Sequence, residues 1–458
     1  MAGFRLKRGT AVVSGSGDPA SKSAAYRPLA GNPSDGFLIW DLRSAGYESE
    51  EYLIPGAAHV YDSISMADAI DMSRRNPVAN GANRNFVRPV VAADRPYTTR
   101  VIVYRPADPR KCSGNVVVEV LHIAGGGLPV VFTTTQRAFV ANGDVLIGVQ
   151  HPVTFDAVRA ANPSRYTALQ AQHPTQIWGM LRDAACLARQ GGLRGLDGYR
   201  LERQFMAGRS FSGVAVATFA NCHHQDARLR DGRNAFDGYL AMTCGYYIRP
   251  LDVPVIRINT ESDFSIWGLD NRSDDSDAPG SQSRLYEVAG GCHYFSFSPL
   301  GDGPGAGAQL PPGAADAALA SFGPGTRLND LPVHLLVAQA FRNLYAWSRG
   351  GAAPPRGDRL VADEKAIVRR DQFGNALAGV RLPQLKVPLA GYGCGQGEAR
   401  HFGYTRPLAT EQLRELYGSP AAYLAQLTAA AEQLVNARWI GADAVPAIVE
   451  EARRNAVF

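Results

Sequence analysis

The sequence predicts an α/β protein built on a doubly wound, mostly parallel sheet. Three observations predict it. Short β-branched apolar runs alternate with helical stretches between residues 115 and 290, the signature of a chain that shuttles between strand and crossover helix. Those runs (NVVVEVL, DVLIGVQ, VPVIRIN) are apolar almost throughout, as strands buried on both faces should be. The chain has 458 residues, 45% hydrophobic and 19% charged, enough to bury a large core.

Taken in order, residues 1–33 are rich in Gly, Ser, Ala and Pro without periodicity and read as a loose arm. From about Tyr47 two strand-like segments follow, EEYLIPGAAHVY and PYTTRVIVYRPA. The second alternates Thr and Val with Arg and Tyr, which predicts a half-exposed strand in an antiparallel start to the sheet. Strands are then expected at Asn115–Leu121, Asp144–Gln150, Gln204–Ala207, Phe236–Thr243, Val253–Asn259 and Leu285–Ala289. Helices are expected at Thr175–Arg189 and Gly213–His223. A Gly/Pro/Ala-dense stretch, 299–324, and the segment 151–172 are lid candidates, because long irregular loops in compact domains usually cover or bind something. A helix over Pro332–Arg349 ends at Gly350-Gly351. Beyond it, extended pieces and two amphipathic helices (411–416 and 421–438) form a mainly helical and irregular extension, 351–458, packed on the 34–350 core.

Composition narrows function. Lysine occurs five times among 47 basic residues, and 42 acidic residues leave a charge of only +5 without a basic run. Nucleic-acid binding is therefore not expected. No stretch approaches the length of a membrane span, and the apolar run near the N-terminus is too short for a signal core. Six scattered cysteines without a C-x-x-C pair predict neither a disulfide framework nor a zinc site, and fit a reducing cytoplasm.

The chemistry concentrates in FMAGRSFSGVAVATFA, residues 205–220. An apolar strand reaches Gly208, Arg209-Ser210-Phe211-Ser212-Gly213 follows, and a helix begins. Strand–G-x-S-x-S-G–helix departs from the G-x-S-x-G nucleophile elbow by Ser212, a position that needs a small residue where helix passes strand. A plain helix-capping serine is the alternative. The partners of such a serine follow in the order acid, then histidine. VPVIRIN exits into Thr260-Glu261-Ser262-Asp263, so Asp263 stands where the acid is expected and Glu261 is the alternative. Of nine histidines, only His293, His334 and His401 follow. His334 sits in an apolar helix, and His401 is expected far from the sheet. His293 follows the last core strand and a Gly290-Gly291-Cys292 turn, the place from which a base reaches the nucleophile. The loop His122-Ile123-Ala124-Gly125-Gly126-Gly127 resembles an HGGG-type oxyanion loop with two residues inserted, so Ile123 or Ala124 would pair its amide with that of Phe211. Glu119, a carboxylate within an apolar strand, is expected to be buried against an arginine.

With these residues in view, the chain resembles the bacterial "alpha/beta hydrolase domain" proteins, a branch of the α/β-hydrolases. The similar pieces are EEYLIPGAAHVY, RPYTTRVIVYRPADP, GNVVVEVLH, the elbow GRSFSG, VPVIRINTESD, RLYEVAGGCHY, RRDQFGNALAGVRLPQLKVPLA and the final helical part from LYGSPAAYL onward. They extend from about residue 45 to the end. The family elbow commonly reads G-x-S-x-S, which accommodates Ser212. The resemblance implies an α/β-hydrolase fold with a Ser–acid–His triad, carried over to Ser210, Asp263 (or Glu261) and His293. Such a triad cleaves a carboxylic ester or lactone through an acyl-enzyme without metal or organic cofactor. A thioesterase, an acyltransferase and a catalytically silent binding protein share this fold. Phe211, Phe264, Trp267, Tyr294, Phe295 and Phe297 near the motifs suggest a pocket for an apolar small-molecule ester. Nothing in the sequence speaks to oligomeric state.

Overall fold

The computed structural model describes residues 27–28, 42–62, 90–123, 126–229, 231–267, 272–295, 313–456 and 458. Among them a nine-stranded sheet forms the centre. Its strands are β1 (Arg27–Pro28), β2 (Tyr47–Tyr61), β3 (Val90–Pro106), β4 (Asn115–Val120), β5 (Val145–Val149), β6 (Arg203–Arg209), β7 (Gly238–Met242), β8 (Val255–Thr260) and β9 (Ser283–Val288). The spatial order is β1-β2-β3-β5-β4-β6-β7-β8-β9. The first three strands and the β3–β5 pair run antiparallel. From β5 to β9 every pair is parallel. The six strands expected between residues 115 and 289 are thus present, with ends shifted by at most two residues, and the sheet reverses its winding at β4 and β5.

Burial explains the apolar runs. Every residue of β4, β5, β7 and β8 is buried. On one face Val117, Leu146 and Phe205 pack with the helices Val130–Asn142 and Val333–Ser348. On the other Val116, Val118 and Ile147 pack with the helices Ile177–Arg189 and Phe211–Cys222. Among the described residues no helix is long and apolar enough to cross a membrane.

Two expectations change here. The expected alternation of exposure is absent from β3: residues 90–96 lie toward solvent, but Thr99 through Tyr104 are all buried, and Arg100 is 4% exposed against Glu51 at 1%. The alternating charge that suggested solvent is instead a buried ion pair, tolerable because both partners are bonded. The segment 151–172 supplies the cover. Arg165 also pairs with Glu51, Tyr166 donates to it at 3.0 Å, and Thr98 and Gln170 exchange backbone bonds of 2.9 and 3.0 Å. This segment packs on β2 and β3, and the residues lining the cavity described below come from other parts of the chain. Within the arm, Arg27–Pro28 pair with β2 rather than lying loose.

The last hundred residues close the β9 edge. The Val380 amide donates to Glu287 at 2.7 Å, and its carbonyl accepts from Ala289 at 3.1 Å, which covers an edge that would otherwise present unpaired groups. A small antiparallel sheet follows, β10 (Arg327–Leu328), β12 (Gly403–Pro407) and β11 (Ala390–Cys394), in that spatial order. The helices Pro420–Asn436 and Val445–Asn455 join the same core through Tyr423, Leu427 and Ile448. Of the 299–324 stretch, 299–312 lies outside the described residues. Ala314–Ser321 is a helix whose Ala318 packs with Ala399, Phe402 and Tyr294.

Candidate active site

β6 delivers Arg209 to the end of the sheet, and the helix Phe211–Cys222 starts two residues later. The intervening Ser210 holds φ 57° and ψ −123°, a conformation non-glycine residues adopt only where the surroundings enforce it. Its amide is fixed by the Met242 carbonyl at 2.9 Å and Thr243 Oγ1 at 3.1 Å. The turn is tight because of Gly208 and Gly213. A Cβ on Gly208 would lie 2.1 Å from the Ser212 carbonyl oxygen, and one on Gly213 would lie 2.6 Å from that of Met242. The close approach of strand and helix therefore rests on these two glycines, and position 212 holds a small residue as expected. Ser212 is fully buried and staples the turn: its Oγ accepts from the Arg209 amide and donates to the Arg209 carbonyl, both at 2.9 Å.

The elbow aims the Ser210 hydroxyl at His293, with Oγ 2.8 Å from Nε2. On the ring's other side Nδ1 lies 2.8 Å from Asp263 Oδ1. A carboxylate only accepts, so the shared proton sits on Nδ1 and Nε2 is left as the acceptor for the serine. Asp263 is fully buried, which opposes its ionisation. The charge of His293 and bonds from His293 and Thr260 outweigh that and hold its pKa below the usual value. Thr260 contributes two of those bonds to Oδ2, from its hydroxyl at 2.5 Å and its amide at 2.8 Å. The His293 loop is set by its backbone. The His293 amide donates to Ser262 Oγ at 2.7 Å, and Arg209 Nη2 donates to the His293 carbonyl at 2.6 Å. Gly290, at φ 68°, lets the loop turn against Tyr392, whose Cβ would be 2.8 Å from an added one.

Glu261, the alternative acid, faces elsewhere. It pairs with Arg370 and accepts the Gly290 amide at 2.9 Å. It braces the histidine loop and does not contact the imidazole. Glu119 is buried as expected, but its partners are not an arginine. Its carboxyl accepts the amides of Val131 at 2.9 Å and Phe132 at 3.4 Å, at the positive end of a helix. Burial nevertheless pushes its pKa up to about 8.

At the other end of the site, Phe211 offers the first amide of its helix, one without an intrahelical acceptor. Ile123 occupies a turn that His122 and Leu128 close with backbone bonds of 2.8 and 3.1 Å. Ala124 lies outside the described residues. Gly127 holds φ 111°, a conformation that strains any L side chain, and an added Cβ would push on the Gln150 side chain. The Phe211 ring packs edge-on against His151 and His122, with centroids 5.3 and 6.1 Å apart. Burial lowers both histidines to about 4, and the charge of Arg209 adds to the effect on His122.

Ser210 and His293 open onto a cavity of about 930 Å³. Phe211 and Tyr294 line it, as expected, whereas Phe264 and Phe295 are core residues, 3% and 1% exposed. Phe297 lies outside the described residues. Much of the facing wall comes from the C-terminal segment: Lys365 to Val368, Arg370, Cys394 to Gly397, Arg400 and His401. His401 is not far from the sheet. Its ring centroid is 4.8 Å from that of His293, and burial keeps it neutral at a pKa of about 4. Sequence reasoning missed this wall, and it missed Arg209 and Thr260. The only sequence signal for them is their adjacency to the elbow and to the acid.

A family model described as "Alpha/beta hydrolase domain" matches residues 16–450. The chain belongs to this family. The match begins upstream of the resemblance noted above and covers both the β-sheet and the C-terminal wall. No curated protein matches the chain. Similar solved structures include a protein from Klebsiella pneumoniae described as a dienelactone hydrolase, at 12% identity and a TM-score of 0.27, covering 51% of this chain and 85% of that one. A rice cell wall degrading esterase from Xanthomonas oryzae is similar at 11% identity and a TM-score of 0.24, covering 48% of this chain and 49% of that one. A Xanthomonas campestris α/β serine hydrolase without a lid is similar at 13% identity and a TM-score of 0.25, covering 42% of this chain and 78% of that one. Among the described residues no group of His, Cys, Asp and Glu side chains is placed to hold a metal ion.

Proposed function

We infer that this protein is a serine hydrolase that cleaves a carboxylic ester or lactone through an acyl-enzyme. The observation that carries the reading is the line of two 2.8 Å contacts from Ser210 Oγ through His293 to a buried Asp263. In this mechanism His293 Nε2 takes the Ser210 proton as Oγ attacks the ester carbonyl carbon. Asp263 fixes the imidazole tautomer and stabilises the imidazolium that forms. The amides of Phe211 and of Ile123 or Ala124 receive the developing oxyanion, and losing one such donor costs about 100- to 1000-fold in rate. His293 then returns its proton to the departing alkoxide, and the alcohol leaves. Water, deprotonated by the same base, attacks the acyl-serine, and collapse regenerates Ser210 and releases the acid. One water is consumed per ester. The buried, positively charged Arg209, which binds the His293 carbonyl, counters the negative charge of Asp263. It acts as a positioning residue.

Hydrolysis of p-nitrophenyl esters from acetate to palmitate tests the reading. Wild type is expected to turn over part of the series, with the optimum chain length sizing the acyl site, and Ser210→Ala to be inactive. No turnover together with no fluorophosphonate labelling of wild type would refute it and leave a binding protein on a hydrolase fold.

A further inference from the structure

We propose that the cavity selects esters carrying a second, anionic group, and that Lys365 and Arg400 recognise it. This deepens, and rests on, the hydrolase reading above. The charges on the cavity wall are unbalanced. Asp263 is consumed by His293, and Arg370 by Glu261. His401 is neutral at pH 7. Lys365 and Arg400 also line the cavity, and among the described residues neither forms an ion pair. Two cations thus stand uncompensated around a nucleophile, with no unpaired carboxylate among the described lining residues to balance them.

Local structure fixes the backbone that carries each. Lys365 occupies the tip of a tight turn in which Asp363 Oδ1 accepts the amides of Lys365 and Ile367, each at 2.9 Å. The adjacent Ala366 sits at φ 60°. The turn extends from the strip that seals the β9 edge. Arg400 ends the short helical turn Gly397–Ala399 between β11 and β12. The next residue, His401, accepts the Tyr294 amide at 3.1 Å, so the loop that carries Arg400 is tied to the loop that carries His293. An anionic group on the substrate would meet these two charges while its ester carbonyl lies at Ser210. The rest of the wall, including Ile367, Val368 and Tyr246, suits the carbon chain between them. The substrate class is therefore the half-ester of a dicarboxylic acid, or an ester with an equivalent acidic group.

The test compares three p-nitrophenyl esters of similar length: hemiglutarate (anionic), valerate (neutral) and 4-(trimethylammonio)butyrate (cationic). One unit charge a few ångströms from another in water changes an equilibrium by about fivefold, and by more where water is partly excluded. The ratio of kcat/KM for hemiglutarate over valerate is expected to reach about fivefold to 25-fold at low ionic strength, with the cationic ester slowest. The ratio should fall toward one at 1 M salt, where the screening length is about 3 Å. Lys365→Gln and Arg400→Gln should each lower it, and Lys365→Glu should favour the cationic ester. Reading ratios cancels any effect of a variant on folding or on the shared chemistry. A wild-type ratio near one at low salt, or a ratio that survives both glutamine substitutions together, would overturn the proposal while leaving the hydrolase reading intact. Absence of turnover of all three, with Ser210 unlabelled by a neutral fluorophosphonate, would instead refute the underlying reading.

Discussion

Replacing Asp263 by Asn separates the two acidic residues that follow β8. In the native site Asp263 Oδ1 lies 2.8 Å from His293 Nδ1, and the carboxylate is fully buried. Asparagine keeps the shape but removes the charge. At roughly 4 Å and an effective dielectric near 20, the lost attraction to the imidazolium is about 4 kcal/mol, or about three orders of magnitude in rate. The amide adds a second penalty. Its NH2 group can donate to Nδ1, which moves the ring proton to Nε2, where it blocks acceptance from Ser210. The expected loss in kcat is about 1,000- to 10,000-fold. Glu261→Gln is the control. It removes the charge partner of Arg370 and weakens the brace on Gly290, so it should cost roughly 1–3 kcal/mol of stability. Turnover per folded active site should stay within a few-fold of wild type. Ester hydrolysis per mole of protein, with folding checked by circular dichroism, measures both. The reasoning fails if Asp263→Asn stays within tenfold of wild type, or if Glu261→Gln loses as much as Asp263→Asn.

Other consequences follow from the same contacts. Ser212→Ala removes two bonds to Arg209 and should lower stability by about 1–3 kcal/mol, yet leave Ser210 reactive; a variant that cannot be labelled although folded would contradict this. Gly208→Ala forces a Cβ against the Ser212 carbonyl and should cost roughly 3 kcal/mol or more, read as a fall in denaturation midpoint; an unchanged midpoint would show that the turn is not tight. Glu119 gives a pH dependence. Its folded pKa of about 8 lies above the unfolded carboxyl value of about 4.3, so between these values the unfolded state releases a proton that the folded state keeps. Its contribution to stability is therefore fully present below about pH 4, falls by up to about 1.4 kcal/mol per unit as pH rises, and levels off above about pH 8. Wild type should lose stability relative to Glu119→Gln between pH 5 and 8, and a constant difference across that range would refute the assignment.

The sequence made some parts of this site legible and hid others, for physical reasons. Strands buried on both faces must be apolar, so β4, β5 and β8 show directly in the sequence. Chain order then placed Ser210, Asp263 and His293 after β6, β8 and β9, at the end of the sheet where parallel strands gather them. Asp263 and Glu261 could not be separated by position alone. The choice depends on which way each side chain leaves the start of one short helix, and on Arg370, more than a hundred residues later. Pairing also misled at Arg100 and Glu51, because a buried ion pair and a solvated strand face have the same alternating pattern. The wall containing Lys365, Arg400 and His401 was hidden because it consists of turns and isolated bridges rather than periodic elements. Its position follows from the pairing of Val380 with the β9 edge, a tertiary contact without local sequence signature. The aromatic residues after β8 and β9 fill the core at Phe264 and Phe295 because strand-exit segments fold back beneath the sheet ends as readily as they face a cavity.

The most direct test of the central claim is mass spectrometry of the protein after treatment with a neutral fluorophosphonate. The account predicts a single adduct on the peptide containing Ser210, formed by wild type and Ser212→Ala, absent in Ser210→Ala and slowed by orders of magnitude in His293→Ala. An adduct at another serine, or labelling of Ser210 that does not depend on His293, would contradict it.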